Sequence, residues 1–199
     1  MGQIRMSGFS RRALIATSIL ISVMRCKCAN ARSKSLSFRS DTKILVAYFT
    51  RSGNTQVIAG TLHRNVGGEI FEIRPARPYP EDYEQTVAQA KQERDSGYEP
   101  PLAATVPDFD TYDTVFLGFP IWGETAPPVI RSFLHAHDWK GKVLRPFITH
   151  GGYGVGNSPS VLASHAVGAT IEAPFVMEAD QERRTLNEVR GWLNEIRHG

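Results

Sequence analysis

The chain has 199 residues, a little above the usual size of one domain, with 23 Lys and Arg against 20 Asp and Glu, a formal net charge of +3 and a pI near 9.0. Five of the bases (Arg5, Arg11, Arg12, Arg25 and Lys27) and no acid fall within residues 1–31; without that segment 18 bases face 20 acids, a net charge of −2, so the basic pI is no nucleic-acid footprint. Both cysteines, Cys26 and Cys28, lie in the same segment, which excludes disulfide staples and cysteine nucleophiles from the remainder and leaves its stability to a hydrophobic core.

Residues 1–31 have the layout of a secretory signal peptide: only positive charge from Met1 to Arg12, a short apolar-dominated run from Ala13 to Val23, and small residues at Ala29-Asn30-Ala31 suited to cleavage. The run contains Thr17, Ser18 and Ser22 and is short for a bilayer, which argues against a permanent membrane anchor. Ser10-Arg11-Arg12-Ala13-Leu14 resembles the twin-arginine export signal, whose pathway carries proteins that have already folded, and so implies a periplasmic or secreted location. An ordinary secretory signal with two adjacent arginines is the alternative. No further ligand cluster accompanies Cys26 and Cys28, so no metal is assigned to them. The serine-rich residues 32–42 read as a flexible linker, and the folded domain is expected over 43–198.

The apolar run Ile44 to Phe49 predicts a buried strand that empties into Thr50-Arg51-Ser52-Gly53-Asn54-Thr55 and then a helix, with Val57, Ile58, Leu62 and Val66 on one face and Gly67-Gly68 as its stop. Hydroxyls, a glycine and the N–H groups of a helix start make a cradle for a phosphate monoester. The spacing is neither the dinucleotide nor the P-loop pattern, and the loop has no lysine for a triphosphate. An N-capped helix that binds nothing fits the same residues. A second strand is expected over Glu69 to Arg74. A rigid Pro-rich connection to Pro80 follows, then a helix over Glu81 to Ser96 with Tyr83, Val87, Ala90 and Arg94 on one face, ended by Gly97.

Thr114 to Phe119 predicts a third strand buried on both faces, hence parallel pairing. Pro127 to His137 predicts a helix, Lys142 to Thr149 a fourth strand, and Ser158-Pro159 the cap and first position of a helix closed by Gly168. Ile171 to Met177 predicts the last strand, and Gln181 to Arg197 an amphipathic helix carrying Leu186, Val189, Leu193 and Ile196. Five strands separated by helices give one doubly wound α/β domain with ligands at the carboxyl ends of the strands.

Three loops converge on that rim. After the third strand, Pro120-Ile121-Trp122-Gly123-Glu124 offers an aromatic plate that can stack on a planar heterocycle; a core role for Trp122 is the plainer alternative. After the fourth, Thr149-His150-Gly151-Gly152-Tyr153 and the glycines beyond allow close backbone approach to a flat ring, or form a flexible surface loop. His135 and His137, at i and i+2 on a helix, cannot share one face, so no metal is assigned there. No Gly-x-Ser-x-Gly elbow is present, which argues against a hydrolase.

Tyr-Phe-Thr-Arg-Ser-Gly-Asn-Thr at 48–55, Gly-Phe-Pro-Ile-Trp-Gly at 118–123 and Thr-His-Gly-Gly-Tyr-Gly at 149–154 resemble the flavodoxin family, in particular its short-chain members. The resemblance covers nearly all of 43–198. It implies a three-layer sheet of five parallel strands in the order 2-1-3-4-5 and FMN as cofactor. By the same resemblance Thr50, Arg51, Ser52, Gly53, Asn54 and Thr55 would bind the FMN phosphate. Pro120, Ile121, Trp122 and Gly123, with Thr149, His150, Gly151, Gly152 and Tyr153, would flank the isoalloxazine ring. The segment Tyr79 to Tyr83 also looks like this subgroup, with a role in helix packing. Flavin performs the redox step itself, so no catalytic side chain is expected.

The resemblance implies a protein that transfers electrons through bound flavin to a redox partner protein or a small quinone or nicotinamide, and the amino-terminal segment implies that it is exported. Electron-carrier flavodoxins are strongly acidic, whereas the charge beyond residue 31 is near neutral. An FMN-dependent NAD(P)H:quinone-type oxidoreductase, or a module that has lost its cofactor, are the alternatives.

Overall fold

A computed structural model describes residues 42–178 and 189–196. Six strands form one parallel sheet: β1 (Ile44–Tyr48), β2 (Glu69–Glu72), β3 (Thr114–Pro120), β4 (Val143–His150), β5 (Thr170–Ile171) and β6 (Phe175–Glu178). Their order is β2-β1-β3-β4-β5, with β6 also paired to β4, which is the 2-1-3-4-5 arrangement expected of a flavodoxin-like α/β sheet. The helices are α1 (Asn54–Val66), α2 (Tyr83–Ser96), α3 (Pro128–His135) and α4 (Ser158–His165), and residues 189–196 are also helical.

Strand alternation divides the core between two faces. Leu45, Ala47, Val115, Leu117, Phe119, Leu144 and Ile148 pack with Ile130, Phe133 and Leu134 of α3 and with Val161 and Leu162 of α4. On the other face Ile44, Val46, Tyr48, Phe116, Phe147 and Met177 pack with Ile58, Ala59 and Leu62 of α1 and with Val189 and Leu193. Gly118 pairs with Phe147 across β3 and β4, and a Cβ there would lie 2.0 Å from the Phe147 ring, so only glycine admits the ring at that register.

The fifth strand departs from the expected continuous run over Ile171 to Met177. Between the pairs Leu144↔Ile171 and Phe147↔Phe175, β4 advances three residues and its neighbour four, so one extra residue is accommodated as in a bulge. Prolines on both sides explain the break. Leu144 O accepts from Glu172 N–H, so Pro146, two residues on, turns a nitrogen without a hydrogen toward the same neighbour, and Pro174 lacks a donor as well.

Three helix starts and two helix ends also shift. α2 starts at Tyr83 rather than Glu81, after Asp82, whose side chain accepts from Gln85 N–H at 2.9 Å; α3 starts at Pro128 rather than Pro127; and Asn157 rather than Ser158 sits before α4. α3 ends at His135 and α4 at His165, short of the expected His137 and Val167. Gly67 caps α1 as expected. Leu186 and the first part of the expected last helix lie outside the described residues, as do the expected signal peptide and most of the linker. Among the described residues no helix is long and apolar enough to cross a membrane.

His137 shows why the end of α3 matters. Its Nδ1–H donates to Phe133 O at 2.8 Å, and its Nε2 accepts from Val106 N–H at 3.2 Å, a pattern that needs a neutral ring. Burial pushes its pKa below the ordinary histidine value, against the opposing pulls of the Phe133 carbonyl and Asp110. A folded-state value below the unfolded one gives stability that is present above a pH of about 6.5 and is lost as the pH falls through the folded-state value. Urea unfolding at about pH 7.5 and about pH 5 should therefore show a larger loss of stability on acidification in the native chain than in His137→Gln. Equal losses would contradict this role for His137.

Candidate functional site

The loop after β1 turns at Gly53, whose φ of +91° suits glycine and sets the start of α1. Thr50 Oγ1 accepts from Gly53 N–H at 3.0 Å, which keeps its own proton available to an acceptor outside the loop. No side chain caps α1, and its first turn carries no acid. A helix whose first turn carries no acid, flanked by exposed Ser52 and partly exposed Thr50, is suited to an anion. Thr55 is buried, its hydroxyl 2.9 Å from that of Thr149 on β4, so the pair ties the first turn of α1 to the end of β4.

Arg51 is exposed and makes its contacts outside its own loop. Its Nη2 donates to Glu81 O at 2.8 Å, and its guanidinium lies 5.4 Å from the Tyr83 ring centroid. These contacts tie the loop to the start of α2 and bound one side of a cleft. The cleft, about 360 Å³, runs from Arg51 and Ser52 past Pro120, Ile121, Trp122, Gly123 and Gly151. Its far wall is α2, through Tyr83, Thr86, Val87, Ala90, Lys91 and Arg94. Trp122 and Arg51 also line an adjoining cavity of about 820 Å³ that extends over Ile73, Arg74, Tyr79 and Pro80.

A tight turn presents Trp122. Its N–H donates to Thr125 O at 3.0 Å, and the two central residues, Gly123 and Glu124, have φ of +56° and +64°, as in a type I′ turn. A positive φ at Glu124 is uncommon for a residue with a side chain, and the neighbouring loop holds it: Glu124 O accepts from Asn157 N–H at 3.0 Å. Behind the Trp122 ring, Phe49 and Tyr79 make edge contacts at centroid distances of 5.2 and 4.9 Å. Tyr79 in turn donates its hydroxyl to Glu93 Oε2 at 2.8 Å, and burial, reinforced by Glu93, pushes the phenol pKa well above its usual range. Tyr79 thus braces Trp122 through a neutral hydroxyl, a site role beyond the helix packing expected of its segment.

Gly156 closes the turn from behind. It has φ of +53°, and a Cβ on it would fall 1.9 Å from Glu124 O. Gly156→Ala is expected to push the two loops apart at a cost of about 1–3 kcal/mol. The mark of this mechanism is a fall in denaturant midpoint, and an unchanged midpoint would contradict it.

The structure gathers Thr50, Arg51, Ser52, Pro120, Ile121, Trp122, Gly123 and Gly151 along the two cavities, with Gly53 and Asn54 at the loop's turn into α1. It does not bring Gly152 and Tyr153 to either cavity; Tyr153 is 87% exposed. His150 holds its loop, Nδ1 accepting from Gly152 N–H at 3.0 Å. The α2 wall was absent from the expected site. Tyr83, Val87, Ala90 and Arg94 do share a face, and that face borders the cleft; of the cleft-lining residues of α2 only Thr86 and Ala90 are buried, together with Glu93 behind them. Two apolar side chains, Tyr83 at 66% and Val87 at 47%, are left exposed on that helix face, which the rest of the fold does not cover.

Residues 43–196 match the sequence model of the family described as Flavodoxin. The chain belongs to the flavodoxin family. A crystallised protein from Bacteroides eggerthii assigned as a flavoprotein is 34% identical, with a TM-score of 0.66 over 78% of this chain and 98% of that one. A second, from Bacteroides uniformis, is 28% identical, with a TM-score of 0.66 over 75% and 98%. A Lactobacillus acidophilus flavoprotein crystallised with FMN shares the fold at 19% identity and a TM-score of 0.57, over 73% of this flavodoxin-family chain and 99% of that one. No curated protein matches the chain.

Proposed function

We propose that this flavodoxin-family protein binds FMN in the cleft between the 50–55 loop, α2 and the Trp122 turn, and uses it to transfer electrons. The observation that carries the reading is the uncapped, acid-free start of α1 at one end of a cleft whose other end holds Trp122 between two glycine-bearing loops. An anion suits the first end and a flat ring the second, and FMN joins the two chemistries. The FMN complex of the Lactobacillus acidophilus relative supports the assignment.

Thr50, Ser52 and the amides of the loop would hold the phosphate, with Thr55 and Thr149 bracing the loop against β4. Trp122, Gly123 and Gly151 would border the ring, and α2 would exclude water from it through Tyr83, Val87 and Ala90. Bound FMN supplies reversible acceptance of electrons. The adjoining cavity of about 820 Å³, bounded by Trp122, Tyr79 and Arg74, favours a second reading, in which a small acceptor such as a quinone takes up electrons there.

Release of the chromophore from protein purified out of flavin-rich cells tests cofactor identity. Turnover with quinones, against reduction of a protein acceptor alone, separates the enzyme from the carrier. We assign the amino-terminal segment to export through a twin-arginine-type signal, supported by Arg11-Arg12 and the apolar run behind them. Changing Arg11 and Arg12 to lysine should then retain the uncleaved chain in the cytoplasm; continued export would contradict it.

A further inference from the structure

We propose that Glu99, His135 and His165 form a binding site for a divalent transition-metal ion of the Zn²⁺ class, apart from the flavin cleft. These are the one group of three such side chains among the described residues whose ligand atoms all lie within 4.8 Å of one another. In a tetrahedral site with metal–ligand bonds near 2.0–2.2 Å the ligand atoms sit about 3.4 Å apart, so the three need only small side-chain adjustments. Two imidazoles and one carboxylate suit Zn²⁺ and its first-row neighbours rather than Mg²⁺ or Ca²⁺, which prefer oxygen.

The hydrogen bonds around His165 set its tautomer. Its Nδ1 lies 2.9 Å from Val161 O, a carbonyl that can only accept, and 2.8 Å from Ser164 Oγ, so in the neutral ring Nδ1 carries the hydrogen and Nε2 the lone pair. That lone pair faces Glu99 Oε1 at 3.6 Å. Two acceptors turned toward each other make a place that a cation fills, and the backbone bond on the far nitrogen is the support usual for a metal-bound histidine. Glu99 spans both rings, its Oε2 lying 2.6 Å from His135 Nδ1, and the two imidazoles stack at 4.5 Å. His135 and His165 are also the last residues of α3 and α4, where both helix dipoles favour positive charge. The half-exposed His135 side chain leaves room for water as a fourth ligand.

The ion would join the segment following α2 to the ends of α3 and α4, fixing the helix that walls the cleft. Sequence spacing hides this site, because its three residues come from separate elements.

The test is equilibrium dialysis of the full chain against Zn²⁺ without flavin, with Cys26 and Cys28 changed to serine because thiolates compete for the metal. The result is then independent of the FMN assignment. One Zn²⁺ per chain is expected, with affinity reduced about tenfold or more in both His165→Ala and the milder Glu99→Gln, and unchanged in His63→Gln. Co²⁺ in place of Zn²⁺ should give a visible absorption band that both variants lose, with near-UV circular dichroism confirming that they fold. Absence of stoichiometric Zn²⁺ binding, or affinity equal in the native chain and Glu99→Gln, would overturn the site and leave a surface ion-pair cluster.

Discussion

Ser52→Asp is expected to reduce FMN affinity about a thousandfold while leaving riboflavin binding nearly unchanged. The substitution places a carboxylate in an exposed loop position beside a helix start that carries no acid of its own. A phosphate monoester bears a charge of about −1.5 to −2 near neutral pH. Two unit charges about 4 Å apart repel by about 4 kcal/mol at an effective dielectric of about 20, and each 1.4 kcal/mol is about a factor of ten in affinity. Riboflavin has the ring but no phosphate, so it reports damage to the rest of the cleft. Flavin fluorescence titration of both ligands reads the difference. Parallel losses for the two flavins would show that Ser52 is not at the phosphate.

The largest loss of stability is expected for Trp139→Ala. Trp139 is 1% exposed, donates its indole N–H to Leu134 O at 2.8 Å, and packs against Phe109 and Phe133 at centroid distances of 5.1 and 6.2 Å. Truncation leaves a large void beneath α3 and an orphaned carbonyl, at a cost of about 3–5 kcal/mol. Against a typical domain stability of about 5–15 kcal/mol, this lowers Tm by about 10 °C or more. Calorimetry should rank Trp139→Ala well below Trp122→Ala, because Trp122 is only partly buried and lines the cleft. The reverse ranking would place the core elsewhere.

The β1-loop-α1 unit was legible because three local signals agree: a buried apolar run, turn chemistry at Gly53 and a helix ended by Gly67. The order of the sheet came from resemblance, since periodicity gives strands but not their neighbours. The break between β5 and β6 depends on Pro146 in the adjacent strand, a cross-strand cause that a scan along the chain does not register. For α2, the period and the shared face of Tyr83, Val87, Ala90 and Arg94 were legible, and what that face borders was not. Side chains that line a cleft repeat at the same 3.6-residue interval as side chains that fill a core, so periodicity alone does not tell which of the two Tyr83 and Val87 do. The positive φ of Glu124 was hidden as well, because its turn is held by the Asn157 N–H and by the room left at Gly156, both some thirty residues on.

Calorimetric titration of the purified chain with FMN and, separately, with riboflavin addresses the two-ended cleft most directly. A site that grips the phosphate at the start of α1 and the ring beside Trp122 binds one FMN per chain, about a hundredfold or more tighter than riboflavin, given about 1.5–3 kcal/mol for each hydrogen bond to a charged group. Equal affinities for the two flavins, or no heat with either from a folded chain, would contradict the account.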